Sequence, residues 1–198
     1  MDKKLFDKAI DIINERLERE LRWLEKAYGR TVKRTTVKEE VGKKVSYNYP
    51  SLYKGNHEYE NMLPSDSRRN VCFWNVQDEQ TVDAQMQFPR LTAKVSCIFW
   101  VKLTDIFAEV DYAYTEHIKE DVLNALHTCP YIVIKKVIEQ PDNVFKEYTV
   151  KDVPVQFLMF PYYALRVEME MKVQAGCIET SNGNEDNNDN NNNNDIEP

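Results

Sequence analysis

From Arg90 to Leu103 the chain alternates without a break. Leu91, Ala93, Val95, Cys97, Phe99, Val101 and Leu103 are apolar, and Arg90, Thr92, Lys94, Ser96, Ile98, Trp100 and Lys102 stand between them. A period of two is that of an extended strand, whose side chains point to opposite faces in turn. The pattern returns near the C-terminus, where Tyr163, Leu165, Val167, Met169, Met171 and Val173 alternate with Arg166, Glu168, Glu170 and Lys172. Two long strands with one apolar face require a sheet that covers a core on its odd-numbered side. A sheet with one wet face is expected to be mainly antiparallel.

The residues that cover such a face must have the other period. Phe6, Ile10, Ile13, Leu17, Leu21, Leu24 and Tyr28 recur at steps of three and four, with acids and bases between them. The spacing predicts an amphipathic helix over Leu5–Tyr28, stopped by Gly29. A second helix is expected over Thr115–Thr128, with Ile118, Val122, Ala125 and Leu126 inward, Thr115 as N-cap and Pro130 beyond its end. Thr31–Tyr49 reads as a hairpin or meander with Gly42 near its turn, and Val71–Val76 as a short strand. Tyr131–Ile138 is a further strand closed by a turn at Pro141-Asp142-Asn143, and Phe145–Val155 can add another. Between them, residues 46–70 carry Pro, Gly, Asn and Ser beside several tyrosines and read as a long loop. The expected fold is α+β, with two helices on a mostly antiparallel sheet in the order helix–strands–helix–strands.

The chain has 198 residues and a formal charge of −7. Five acids and no base fall between Ser181 and Pro198, so the rest carries 28 acids against 26 bases. Residues 1–177 are expected to form one domain and 178–198 an acidic, Asn-rich disordered tail, too polar to offset its chain entropy. A near-neutral domain lacks the concentrated basic surface that nucleic-acid binding uses, so no sequence-specific nucleic-acid contact is expected. No apolar run is long enough for a transmembrane helix, no signal peptide is expected after Met1-Asp2-Lys3-Lys4, and no membrane partner is implied. Cys72, Cys97, Cys129 and Cys177 have no paired spacing and read as reduced, mostly buried thiols of a cytosolic fold.

Motif-bearing chemistry is sparse. With 5 glycines the chain holds no phosphate-binding glycine loop, and no Gly-x-Ser-x-Gly elbow is present. His57, His117 and His127 have no ligand spacing, and His127-Thr-Cys129 lacks a second pair to complete a tetrahedral site. Glu168, Glu170 and Lys172 project from one strand face, as the Glu-x-Lys pair of metal-dependent nucleases does. No upstream Asp can be singled out as their partner, and the solvated side of an amphipathic strand is normally charged. The expectation is a protein that is not an enzyme and holds neither cofactor nor metal.

More informative are aromatic and apolar residues in polar settings. Ile98 and Trp100 interrupt the polar row of the Arg90–Leu103 strand, and are either covered by a helix or part of an interface. Tyr47, Tyr49, Tyr53 and Tyr59 cluster in the expected loop, and tyrosine suits interfaces because it buries area while its hydroxyl stays wet. Trp100, Ile98, Tyr49, Tyr53 and Tyr59 are therefore the interface candidates.

The opening helix Leu5–Tyr28, the strand Arg-Leu-Thr-Ala-Lys-Val-Ser-Cys-Ile-Phe-Trp from Arg90, the helix Thr115–Thr128 and the strand Tyr-Tyr-Ala-Leu-Arg-Val-Glu-Met-Glu-Met from Tyr162 follow one another in a familiar order. That order resembles the tail-terminator and head–tail completion (neck) proteins of long-tailed bacteriophages, across most of residues 1–177. The resemblance implies a small ring-forming protein, commonly a homohexamer, between tail-tube subunits and connector or portal-side proteins. It implies the virion as location, with host cytoplasm during assembly, and it carries over no site residue. The alternatives are the Glu168/Glu170/Lys172 nuclease and a small monomeric binding module.

Overall fold

The computed structural model describes residues 5–85, 88–109, 111 and 113–174. The expected tail and Cys177 lie outside the described residues. Seven strands form one mixed sheet: β1 Lys26–Glu40, β2 Lys43–Gly55, β3 Glu58–Asn61, β4 Val71–Asp83, β5 Arg90–Lys102, β6 Ile132–Ile138 and β7 Tyr162–Gln174. Their order across the sheet is β3-β2-β1-β4-β5-β7-β6. Five neighbouring pairs are antiparallel and β1 with β4 is parallel. The helices are α1 Phe6–Glu20, α2 Tyr114–His127 and the short α3 Pro141–Val144. The α+β class thus stands, but the expected two helices in the order helix–strands–helix–strands do not: a third, short helix falls between β6 and β7.

The two alternating strands are neighbours, β5 pairing with β7 in continuous register from Arg90↔Gln174 to Lys102↔Tyr162. Their odd-numbered residues share one core with Phe6, Ile10, Ile13 and Leu17 of α1 and Ile118, Val122 and Leu126 of α2. Those helical faces are the ones the periodicity predicts.

The first helix is shorter than its apolar spacing. It stops at Glu20, and Leu21 and Leu24 bury themselves from a turn instead, with Leu24 N–H donating to Leu21 O at 2.9 Å. Gly29 lies inside β1, because Lys26–Thr31 pairs with Val71–Asn75. Long-range strand pairing overrides local helical periodicity here. The β1–β4 register slips between Ala27 and Arg30, and α1 supplies the missing partners. Glu18 Oε1 accepts from Ala27 N–H at 2.9 Å, and buried Asn14 donates to Tyr28 O at 3.1 Å while accepting from Trp74 Nε1 at 2.7 Å. Every one of these buried polar groups is satisfied, as a stable bulge requires.

Three other expectations need correction. Thr115 is not the N-cap of α2: that position is Ala113, without a side-chain cap. Residues 46–70 are not one long loop, since β2 continues to Gly55 and β3 follows. Pro50 hid this strand. Met62 N–H donates to Pro50 O at 2.8 Å, so Pro50 turns its polar side toward β3, just past the last ladder pair Ser51↔Asn61. Its absent N–H therefore costs no bond to β1. Phe145–Val155 forms no strand, and with α3 and a 3-10 turn at Val155–Leu158 it packs across the even-numbered face of the sheet. The middle of the sheet is consequently covered on both sides.

Candidate assembly surface

Ile98 and Trp100 are fully buried in that second layer, so they are not an exposed interface. Neither of the two long helices covers them. The cover is the 141–162 connection together with Met62 and Leu63. Trp100 stacks on Tyr162 at 5.0 Å and meets Phe157 edge-on at 6.0 Å, and its Nε1 donates to Phe157 O at 3.0 Å.

Arg166, expected on the wet side, is likewise buried. Its guanidinium forms a two-pronged pair with Glu147, Nη2 reaching Oε1 at 2.6 Å. It also donates to Ser96 Oγ at 2.8 Å and to Val144 O at 3.1 Å. A planar fork matched to a carboxylate is the geometry arginine serves best. These bonds clamp the 141–148 segment onto β5 and β7.

The carboxylates of the expected Glu-x-Lys row are engaged by neighbouring cations. Glu168 meets Lys146 at 2.5 Å and Arg166 at 3.3 Å, and Glu170 meets Lys135 at 3.1 Å. Partial burial pushes the Glu168 carboxyl up, but the Lys146 hydrogen bond and the Lys146 and Arg166 charges win and hold it below its ordinary range. Among the described residues no group of three or more His, Cys, Asp or Glu is arranged to hold a metal ion, and no helix is long and apolar enough to cross a membrane. Cys72, Cys97 and Cys129 are free and buried. Burial first, then the hydrogen bond with Cys72, pushes the Cys97 thiol well up, which suits packing and not nucleophilic attack.

The tyrosines divide. Tyr47 is buried, whereas Tyr49 is half-buried and donates to Asp152 Oδ2 at 2.7 Å. Tyr53 and Tyr59 are exposed and directly opposite across β2 and β3, with ring centroids 5.1 Å apart and Arg34 lying 4.5 Å over the Tyr59 ring. They form one wall of an open cleft of about 890 Å³ whose other walls are α1, with Asp11 and Glu15, and β1, with Arg30 and Val32.

Two hairpins carry long exposed stretches. β1 and β4 run in the same direction and part company after Thr31↔Asn75. Beyond that point β1 pairs only with β2, and β4 only with β5, so two arms reach past the same end of the β1–β4 join, the first free and the second still tied to the sheet because residues 90–95 of β5 pair with β7 on their other side. In the first, β1 is exposed from Lys33 to Glu39 while Tyr47 of the facing strand is buried, and the arm closes through a two-residue turn, Val41-Gly42, with φ of 47° and 73°. The second is exposed from Gln77 to Gln85. A cleft of about 540 Å³ separates their roots, lined by Lys33, Gln77, Asp78 and Tyr148 among others. Val37, Val41, Val82 and Phe88 stand exposed on the arms. The 149–152 segment buttresses the first arm through Thr149 N–H to Asn48 O at 2.8 Å, a Lys38–Asp152 pair and Lys151–Glu40 at 2.5 Å.

Sequence reading found the first hairpin and missed its exposure. The signal was present: Lys33-Arg34-Thr35-Thr36 and Lys38-Glu39-Glu40 leave no apolar side, so neither face of that strand can enter a core. Gln77–Asp83 is similarly polar on both sides, with Val82 as its one large apolar residue. No protein-family model matches the chain, and no curated protein is similar to it.

Proposed function

We propose that this protein is a structural assembly subunit that forms a ring, with the tail end or head–tail junction of a tailed phage as its place. The observation that carries the assembly reading is the pair of arms. Long exposed stretches of β1 and β4 that leave four large apolar side chains in water gain nothing for a lone subunit. Such projections acquire a purpose when another chain covers them. The placement in a phage particle rests on the order of elements: helix, meander, long strand, helix and closing strands resemble the tail-terminator and neck proteins. On this reading the ring sits between tail-tube and connector-side proteins, and no bond is made or broken.

Light scattering across a concentration series tests the ring, and the expected result is one closed species, six subunits if the likeness to those proteins extends to stoichiometry. A monomer at every concentration would sink the reading. Mass spectrometry of purified particles tests the location, with the protein expected in the particle at a fixed copy number.

A further inference from the structure

We propose that the subunit contact of this ring joins unlike arms: the β1–β2 arm of one copy docks on the β4–β5 arm of the next. The inference deepens the ring reading and rests on it for closure. Its basis is charge. Residues 32–45 hold Lys33, Arg34, Lys38, Lys43 and Lys44 against Glu39 and Glu40, a net of +3. Residues 77–89, the β4 strand and the turn after it, hold Asp78, Glu79 and Asp83 and no base, a net of −3, while the β5 strand of this arm carries Arg90, opposite Asp83, and Lys94. A near-neutral domain thus carries a basic β1–β2 arm and an acidic stretch along the exposed end of β4 and its turn.

Neither arm neutralises the other within the chain. Lys33, Lys43, Lys44, Asp78 and Glu79 have no partner among the described residues, although Lys33 and Asp78 line the same cleft. Two copies of one arm repel each other, whereas unlike arms attract. Opposite potentials speed encounter and like charges in contact reject the wrong register. The apolar residues are divided in the same way, with Val37 and Val41 on the basic arm and Val82 and Phe88 on the acidic one, so contact can also remove apolar area from water. Each arm keeps one strand edge free of ladder partners, β1 beyond Thr31 and β4 beyond Asn75. Main-chain pairing between copies is therefore open as well. A contact between two different surfaces, repeated in one sense, closes into a ring when the rotation allows it.

Charge reversal in the full chain tests the contact. Lys33→Glu, Lys43→Glu and Lys44→Glu together reverse one arm, and Asp78→Lys with Glu79→Lys reverses the other. All five positions are exposed, so circular dichroism should report unchanged folding. Either set alone should raise the concentration needed for assembly at least tenfold, and added salt should weaken the wild-type oligomer. Mixing the two singly reversed proteins, or combining both sets in one chain, should restore assembly, because unlike arms again meet. Carbodiimide cross-linking of mixed ¹⁴N and ¹⁵N wild-type protein offers a readout without mutation, with links expected between Lys43 or Lys44 of one copy and Asp78 or Glu79 of another. An oligomer indifferent to both reversals, or one lost and not restored by the combination, overturns the arm contact while leaving the ring standing. A wild-type monomer overturns both. A closed dimer with rescue keeps the contact and overturns the ring.

Discussion

Asn14 and Arg166 are buried polar side chains with opposite sequence disguises. Asn14 sits on the apolar stripe of an amphipathic helix, and Arg166 on the polar side of an alternating strand. Each bonds main-chain or side-chain groups that secondary structure leaves over, and so fixes a neighbouring segment. Because the Arg166 guanidinium is fully buried, removing Glu147 takes away its two-pronged partner and leaves only the single contact to Glu168 at 3.3 Å. Glu147→Ala is expected to cost about 3 kcal/mol in urea unfolding, more than a partly exposed glutamate normally would. Val41 is the reverse case, a fully exposed β-branched residue at φ 47° in a two-residue hairpin turn. Asn tolerates that conformation and Val does not, so Val41→Asn should raise stability by about 1 kcal/mol, read as a higher melting temperature. Tyr148 gives a pH dependence. Burial, reinforced by the Glu147 charge and opposed by a Thr31 hydrogen bond, pushes its hydroxyl up to about 12. Its folded-state value exceeds the unfolded one near 10, so its contribution is complete below about pH 10 and is lost as pH rises toward 12. Urea midpoints of wild type should fall over that interval, and Tyr148→Phe should flatten the fall.

At the scale of elements, legibility followed the source of each element's stability. β5, β7 and α2 were readable because their own apolar period matches the face they bury. The end of α1 was not, because Lys26–Thr31 becomes strand through pairing with residues some 45 positions away, which no local period reports. The second layer over the sheet was hidden for a different reason. Residues 141–162 bury Val144, Phe145, Tyr148, Val153 and Phe157 from turns and short helices, at spacings of neither two nor three and a half. That omission turned Ile98 and Trp100 from core into interface candidates. Trp100→Ala should therefore cost about 3–5 kcal/mol, as Phe99→Ala on the opposite face should. Tyr53→Ala should stay within about 1 kcal/mol, since its ring is exposed. Of the candidate surface, the tyrosine pair was singled out in sequence, whereas its cleft and the acidic arm emerged only when distant strands were set side by side.

At the scale of the whole molecule, the sheet is two antiparallel runs joined at one place. One run is β3-β2-β1 and the other is β4-β5-β7-β6, and the join is the parallel Lys26–Thr31 contact with Val71–Asn75. It is short, its register slips, and it depends on α1 for its leftover bonds. Native proteins open in cooperative pieces and not residue by residue, and this join is the expected boundary between two of them. Hydrogen exchange is expected to release β1, β2 and β3 together, ahead of β5 and β7, and Asn14→Ala should widen the gap. If all strands exchange at one rate, the sheet is a single unit and the join is not weak. The same line is the crotch from which both arms spring. A pull applied to the arms by neighbouring chains would load this join like a wedge in split timber, so the molecule would register mechanical tension there before any other strand pair felt it.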